Sequence, residues 1–90
     1  MAQIEIVERR DGEYRLRVGS FDGSTEVVLA LGDAAEVSDG RLAVDDATAS
    51  ATVAYLLQHQ DAADLPGVVD IGDVVAAYPD AVDGIAALRG

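Results

Sequence analysis

His59 is the only histidine in the chain. An imidazole can act as a general base or a metal ligand near neutral pH. It lies one helical turn after Tyr55 and between Gln58 and Gln60. Either task needs a partner group, such as a second imidazole, a thiolate or an activated hydroxyl. The chain has no cysteine and no second histidine, and no serine stands beside His59. The expectation is a histidine at a helix end that faces water or meets the last carbonyl groups, where a cation is favourable. Paired carboxylates come next. Asp70 and Asp73 are three apart, as are Asp80 and Asp83, and such pairs can hold a divalent cation. Both pairs also open apolar stretches of helical period, where acids cap the first turn and meet its positive end. The roughly 12-residue loop of alternating acidic ligands that makes a calcium hand is missing. Arg9, Arg15 and Arg17 could grip a carboxylate or phosphate. Glu5, Glu8 and Glu13 are interleaved with them, so a cross-strand ion-pair lattice is expected. Glycine-rich phosphate loops, zinc spacings and nucleophile elbows do not occur. No catalytic, cofactor-binding or metal-ligating residue is therefore assigned.

The charge balance narrows the partners. All six basic residues are arginines, they face seventeen acids, and the net charge is −11 on 90 residues. Such a field repels nucleic-acid phosphates and anionic lipid and favours basic partners. The closing segment has the rhythm of a helix-turn-helix. Its would-be reading helix bears Asp80 and Asp83 against Arg89, so nucleic acid is not an expected partner. No run approaches the ~18 apolar residues of a membrane span. Met1-Ala2-Gln3-Ile4-Glu5 lacks the basic and apolar regions of a signal peptide, which places the expected location in the cytoplasm. The lysine-free, acidic, Ala- and Val-rich composition is halophilic in kind. A GC-rich genome that exchanges lysine for arginine produces part of it too.

These side chains must be positioned by a small core. Asp11-Gly12, Asp22-Gly23 and Asp39-Gly40 separate short runs of alternating polarity, a strong hairpin signal. A two-residue loop at Asp11-Gly12 pairs Ile6 with Arg17 and sets the apolar residues on opposite faces. A three-residue loop, Arg10 to Gly12, pairs Ile6 with Leu16, Ile4 with Val18, Glu5 with Arg17 and Arg9 with Glu13, and is the register expected. A loop at Asp22-Gly23 pairs Val18 with Val27, Leu16 with Leu29 and Tyr14 with Leu31. A third at Asp39-Gly40 pairs Val37 with Leu42 and Ala35 with Val44. Helical period begins after Val44. Ala49, Val53, Leu56 and Leu57 mark a helix over about 47–60, capped by Asp45 or Asp46 and extended by Ala62-Ala63 if at all, with Pro66-Gly67 as its stop. Val68-Val69 leads to a helix over about 70–78, capped by Asp70, with Ile71, Val74, Val75 and Tyr78 inward. Tyr78-Pro79 breaks it, and a last helix spans about 80–89 with Val82, Ile85 and Leu88 inward. The fold class expected is α+β: an antiparallel meander of three to five strands over residues ~3–44, packed by these three helices as one domain over residues 1–90.

The junction Leu42-Ala43-Val44-Asp45-Asp46-Ala47-Thr48-Ala49 resembles that of the RiPP-recognition element, a small winged-helix peptide binder, with Thr48-Ala49 matching and an Asp standing for the usual Asn. The resemblance implies a basic or amphipathic leader peptide that adds a strand at the sheet edge and rests on the first long helix. Taken together, the residues point to a non-catalytic domain that binds a protein or peptide, basic for choice, or a second copy of itself as a homodimer. Val7 and Phe21 are expected to leave apolar surface for that partner. The competing reading is a small metal-dependent enzyme that uses His59.

Overall fold

The computed structural model describes residues 3–20, 23–61 and 64–89. Phe21, the Asp22 half of the second Asp-Gly turn and the Ala62-Ala63 helix extension lie outside the described residues. The elements in chain order are β1 (Gln3–Arg10), β2 (Glu13–Ser20), β3 (Gly23–Ala30), α1 (Ala34–Val37), α2 (Asp46–Leu57), β4 (Val68–Asp70), α3 (Ile71–Ala77) and α4 (Ala81–Leu88). The class is α+β. The sheet order is β1-β2-β3-β4, with the first three strands antiparallel and β4 parallel to β3. No helix among the described residues is long and apolar enough to cross a membrane.

The first hairpin resolves its conflict of faces differently from the expected three-residue loop. Ile4 pairs Val18, Glu5 pairs Arg17 and Ile6 pairs Leu16, as the pattern requires. The loop has only two residues, because Arg10 pairs Glu13 around Asp11 and Gly12, which sit at φ 47° and 84°. Two successive left-handed residues match the twist of the strands they join. The extra residue sits inside β1 instead, as a bulge between Ile6 and Glu8. A bulge inverts the alternation beyond it. Arg9, expected opposite Glu13 on the outer face, lies opposite Tyr14 on the core side. There its Nε and Nη2 donate to both carboxylate oxygens of Asp46, each at 2.6 Å.

The second hairpin is displaced by two residues: Leu16 pairs Val27, Tyr14 pairs Leu29 and Val18 pairs Thr25. A shift of two leaves every side chain on its own face, so facing alone could not choose between the registers. The observed one sets Arg17 opposite Glu26, with a 3.8 Å ion pair, and frees Leu31 to be buried beyond the strand, where its N–H donates to the Gly12 carbonyl at 2.8 Å.

The third hairpin does not form. Residues 34–37 make a single helical turn. Asp39 and Gly40 take φ 55° and 83°, and the Gly40 N–H donates to the Ala35 carbonyl at 2.8 Å. That is the six-to-one bond of a helix C-terminus. The left-handed preference that favours a hairpin serves a helix cap equally well. Ser38, buried, clips the turn: its Oγ donates to the Ala34 carbonyl at 2.6 Å and accepts from the Leu42 N–H at 2.9 Å. Parallel strands need a long crossover, and α1, α2 and their connections supply it. Val68-Val69 then enters the sheet as β4, with Val28 opposite Val68.

The core joins Tyr14, Leu16, Val18, Val27 and Leu29 from the sheet to α2, α3 and α4. On α2, Ala49, Val53 and Leu56 are buried as expected, and so are Thr48, Ala51, Thr52 and Tyr55. The helix is therefore enclosed on most sides, and its small residues allow close approach. Asp45 caps it, accepting from the Thr48 N–H at 2.8 Å. On α3, Ile71 and Val74 are buried, with Val75 and Tyr78 at the margin. On α4, Ala81 and Ile85 are buried whereas Leu88 is exposed, a stripe turned by one residue from the expected Val82, Ile85 and Leu88. Arg89, just beyond Leu88, reaches Asp45 at 2.8 Å.

Candidate functional site

The bulge in β1 dismantles part of the expected arginine cluster. Arg17 lies between Glu5 at 3.5 Å and Glu26 at 3.8 Å, and Arg15 stands 3.8 Å from Glu8. These form the lattice on the sheet face away from the helices. Arg9 has left it for Asp46, whose carboxyl is held below the ordinary aspartate range by that hydrogen-bonded guanidinium. Every member of the lattice is roughly half exposed, so its ion pairs are screened by solvent.

The two aspartate pairs separate as well. Asp70 Oδ1 accepts from the Gly72 N–H at 2.8 Å as the cap of α3. Asp73 has no hydrogen-bond or ion-pair partner among the described residues. Asp80 stands at the start of α4 without capping it. It accepts a 2.5 Å hydrogen bond from the Tyr55 hydroxyl instead, while Asp83 pairs with Arg41. Among the described residues, no three His, Cys, Asp or Glu side chains stand close enough to hold a metal ion together.

His59 lies two residues past the last residue of α2. The chain tightens there through Gln58 N–H to Tyr55 carbonyl and His59 N–H to Leu56 carbonyl bonds of 3.1 and 2.9 Å. Its ring stacks on Tyr78, with centroids 4.7 Å apart and planes 29° apart, and tilts against Tyr55 at 4.7 Å. Tyr55 and Tyr78 meet edge to face at 5.8 Å. His59 is exposed at the end of α2, as expected of a helix-end histidine, but its position in the sequence does not reveal the two rings beside it. The spacing of Tyr55 and His59 announced one member of the trio. Tyr78 enters only because Pro79 turns the chain between α3 and α4. The hydrogen bond to Asp80, aided by burial, pushes the Tyr55 phenol up to about 12. At neutral pH it is a fixed, protonated donor.

Beside this trio lies an open cleft of about 170 Å³. Leu56 and Gln60 at the end of α2 form one wall, Pro66 to Asp70 another, and Asp73, Val74, Ala77 and Tyr78 of α3 and its end the third. Leu56, Val69 and Val74 are buried beneath it. Val68 stands at its rim, 69% exposed and the most exposed large apolar side chain described. Asp70 and Asp73 are the charged groups of the lining. Among the described residues β4 is the last strand of its sheet, and all three of its residues line the cleft. The apolar contact surface expected from the sequence was Val7 with Phe21, the latter outside the described residues. Val7 is the bulged residue and is 37% exposed, far from the cleft across the sheet order. No protein-family model, curated protein or solved structure matches the chain.

Proposed function

We propose that this protein is a non-catalytic cytoplasmic binding module whose cleft between α2, β4 and α3 receives a segment of a protein or peptide partner. The observation that carries the reading is the combination of an apolar floor, an exposed Val68 and the terminal strand β4 in one place. Volume argues for an inserted side chain over a small-molecule substrate. Pockets for drug-sized ligands measure about 300–1,000 Å³, and an engineered cavity of ~150 Å³ takes one benzene ring. A cleft of about 170 Å³ has room for one anchoring side chain. The remaining affinity would come from contacts along its rim, as at interfaces where a few anchors dominate. The resemblance to the RiPP-recognition element points to the same kind of ligand, resting on α2 and a sheet edge. The protonated Tyr55 and the stacked His59 serve in this reading as the rigid wall behind Tyr78.

The test is a displayed random-peptide library selected in parallel on the wild-type protein and on Val68→Glu, a change at an exposed position. Enrichment of related peptides on the wild type, lost on the variant, supports the reading. Selection that fails on both, or that is indifferent to Val68→Glu, contradicts it.

A further inference from the structure

The cleft has a chemical preference as well as a size. We propose that the anchor it selects is an arginine or lysine side chain on a basic, extended partner segment, with the aliphatic stem on Val69 and Val74 and the cation between Asp70 and Asp73. This rests on the peptide-binding reading above and specifies its ligand.

Three observations support it. First, the floor is apolar and the charged lining is wholly acidic: Asp70 and Asp73 are the ionisable residues of the lining apart from Tyr78. A side chain that is apolar along its length and cationic at its tip matches that division, because long basic residues bury their stems while the head stays wet. Second, the carboxylates have spare accepting capacity. Asp70 uses Oδ1 for the Gly72 N–H, and Asp73 has no partner among the described residues. Third, Tyr78 lines the cleft and its ring is held by its stack on His59, which puts a fixed aromatic group beside the place proposed for a guanidinium or ammonium. The net charge of −11 steers a basic segment toward the protein and an acidic one away.

The probe is n-butylguanidinium, with n-butylurea as its neutral isostere, titrated into protein carrying labelled methyl groups. Butylguanidinium should produce saturable shifts at Leu56, Val69 and Val74, and at the Tyr78 ring. Asp70→Asn with Asp73→Asn removes both charges while asparagine still caps α3. The double variant should bind butylguanidinium about fivefold more weakly, as two partly exposed ion pairs would give, and leave butylurea binding unchanged. The inference is overturned if butylurea binds as well as the cation, if the double variant binds the cation undiminished, or if the shifts spread over the whole acidic surface. Selected peptides that occupy the cleft through a neutral anchor would leave the peptide-binding reading standing and remove this one.

Discussion

Gly84 lies in the middle of α4, where alanine would ordinarily be the better residue by about 1 kcal/mol. Here the exchange should destabilise. A Cβ at that position would stand 2.5 Å from Cε1 and 2.7 Å from Cδ1 of Tyr55. The ring is poorly placed to retreat. Its hydroxyl is bonded to Asp80 at the start of the same helix, its outer side is met by His59 and Tyr78, and only 2% of the residue is exposed. Relief must come from moving α4 off α2 or from breaking the Tyr55 bond. Overpacking of this kind costs about 1–3 kcal/mol. A contact of 2.5 Å with a ring that cannot retreat puts the cost in the upper part of that range, about 2–3 kcal/mol, and less the propensity gain of about 1 kcal/mol it leaves Gly84→Ala less stable by about 1–2 kcal/mol. Urea unfolding followed by circular dichroism would read this as a lower midpoint with unchanged slope, and thermal unfolding as a fall of roughly 4–8 °C per kcal/mol for a domain of this size. The same exchange in a Tyr55→Leu background, where the ring is gone, should be neutral or stabilising. Gly84→Ala as stable as the wild type, or the same loss with and without the Tyr55 ring, would refute the close packing of α4 on α2.

His59→Ala should cost about 0.5–1.5 kcal/mol for each ring pairing it removes and free the Tyr78 ring to reorient, which NMR of its ring signals would detect, whereas His59→Phe should restore both; an alanine variant with wild-type stability and an unaltered Tyr78 signal would count against the stack. Asp45 is held below the ordinary carboxyl range by the Thr48 N–H, with help from Arg89, and Asp46 by Arg9. Carboxyls depressed on folding contribute stability above their unfolded pKa of about 3.9 and lose it as the pH falls through the folded value. Stability should therefore decline below about pH 4, and Asp45→Asn, which keeps a capping side chain, should flatten that decline; an unchanged acid limb refutes the assignment. Added chloride should raise the melting temperature between about 0.1 and 2 M, because seventeen acids outnumber six arginines and screening relieves their repulsion; a flat response contradicts this.

Apolar facing was legible in the sequence wherever alternation was strict. Ile4, Ile6, Leu16 and Val18 pair as the pattern demands, and Asp45 and Asp70 cap the helices they precede. What period-2 facing leaves open was misread. A two-residue slip of β3 changes no face, and a bulge at Val7 repairs the first hairpin as well as a longer loop does. Asp39-Gly40 was ambiguous for a different reason, since its backbone preference is shared by hairpins and helix ends. Val68-Val69 was too short to announce a strand, because three residues become β4 only with β3 already alongside. The cleft depends on that strand and on the turn at Pro79, so its walls could not be assembled from local pattern. Its acidic members and Tyr78 are visible singly, and His59 is legible as an exposed helix-end residue but not as the ring that stacks on Tyr78.

A partner segment seated in the proposed cleft between α2, β4 and α3 would touch the residues that line it. Methyl and amide NMR of the protein, titrated with a peptide recovered from selection on the wild type, tests this proposal most directly. Saturable shifts are expected, concentrated at Leu56, Val68, Val69, Asp73, Val74 and Tyr78, with the β1 edge around Val7 and the Arg15/Arg17 lattice undisturbed. Shifts that map to β1 or to the outer sheet face, with the cleft silent, would contradict the proposal.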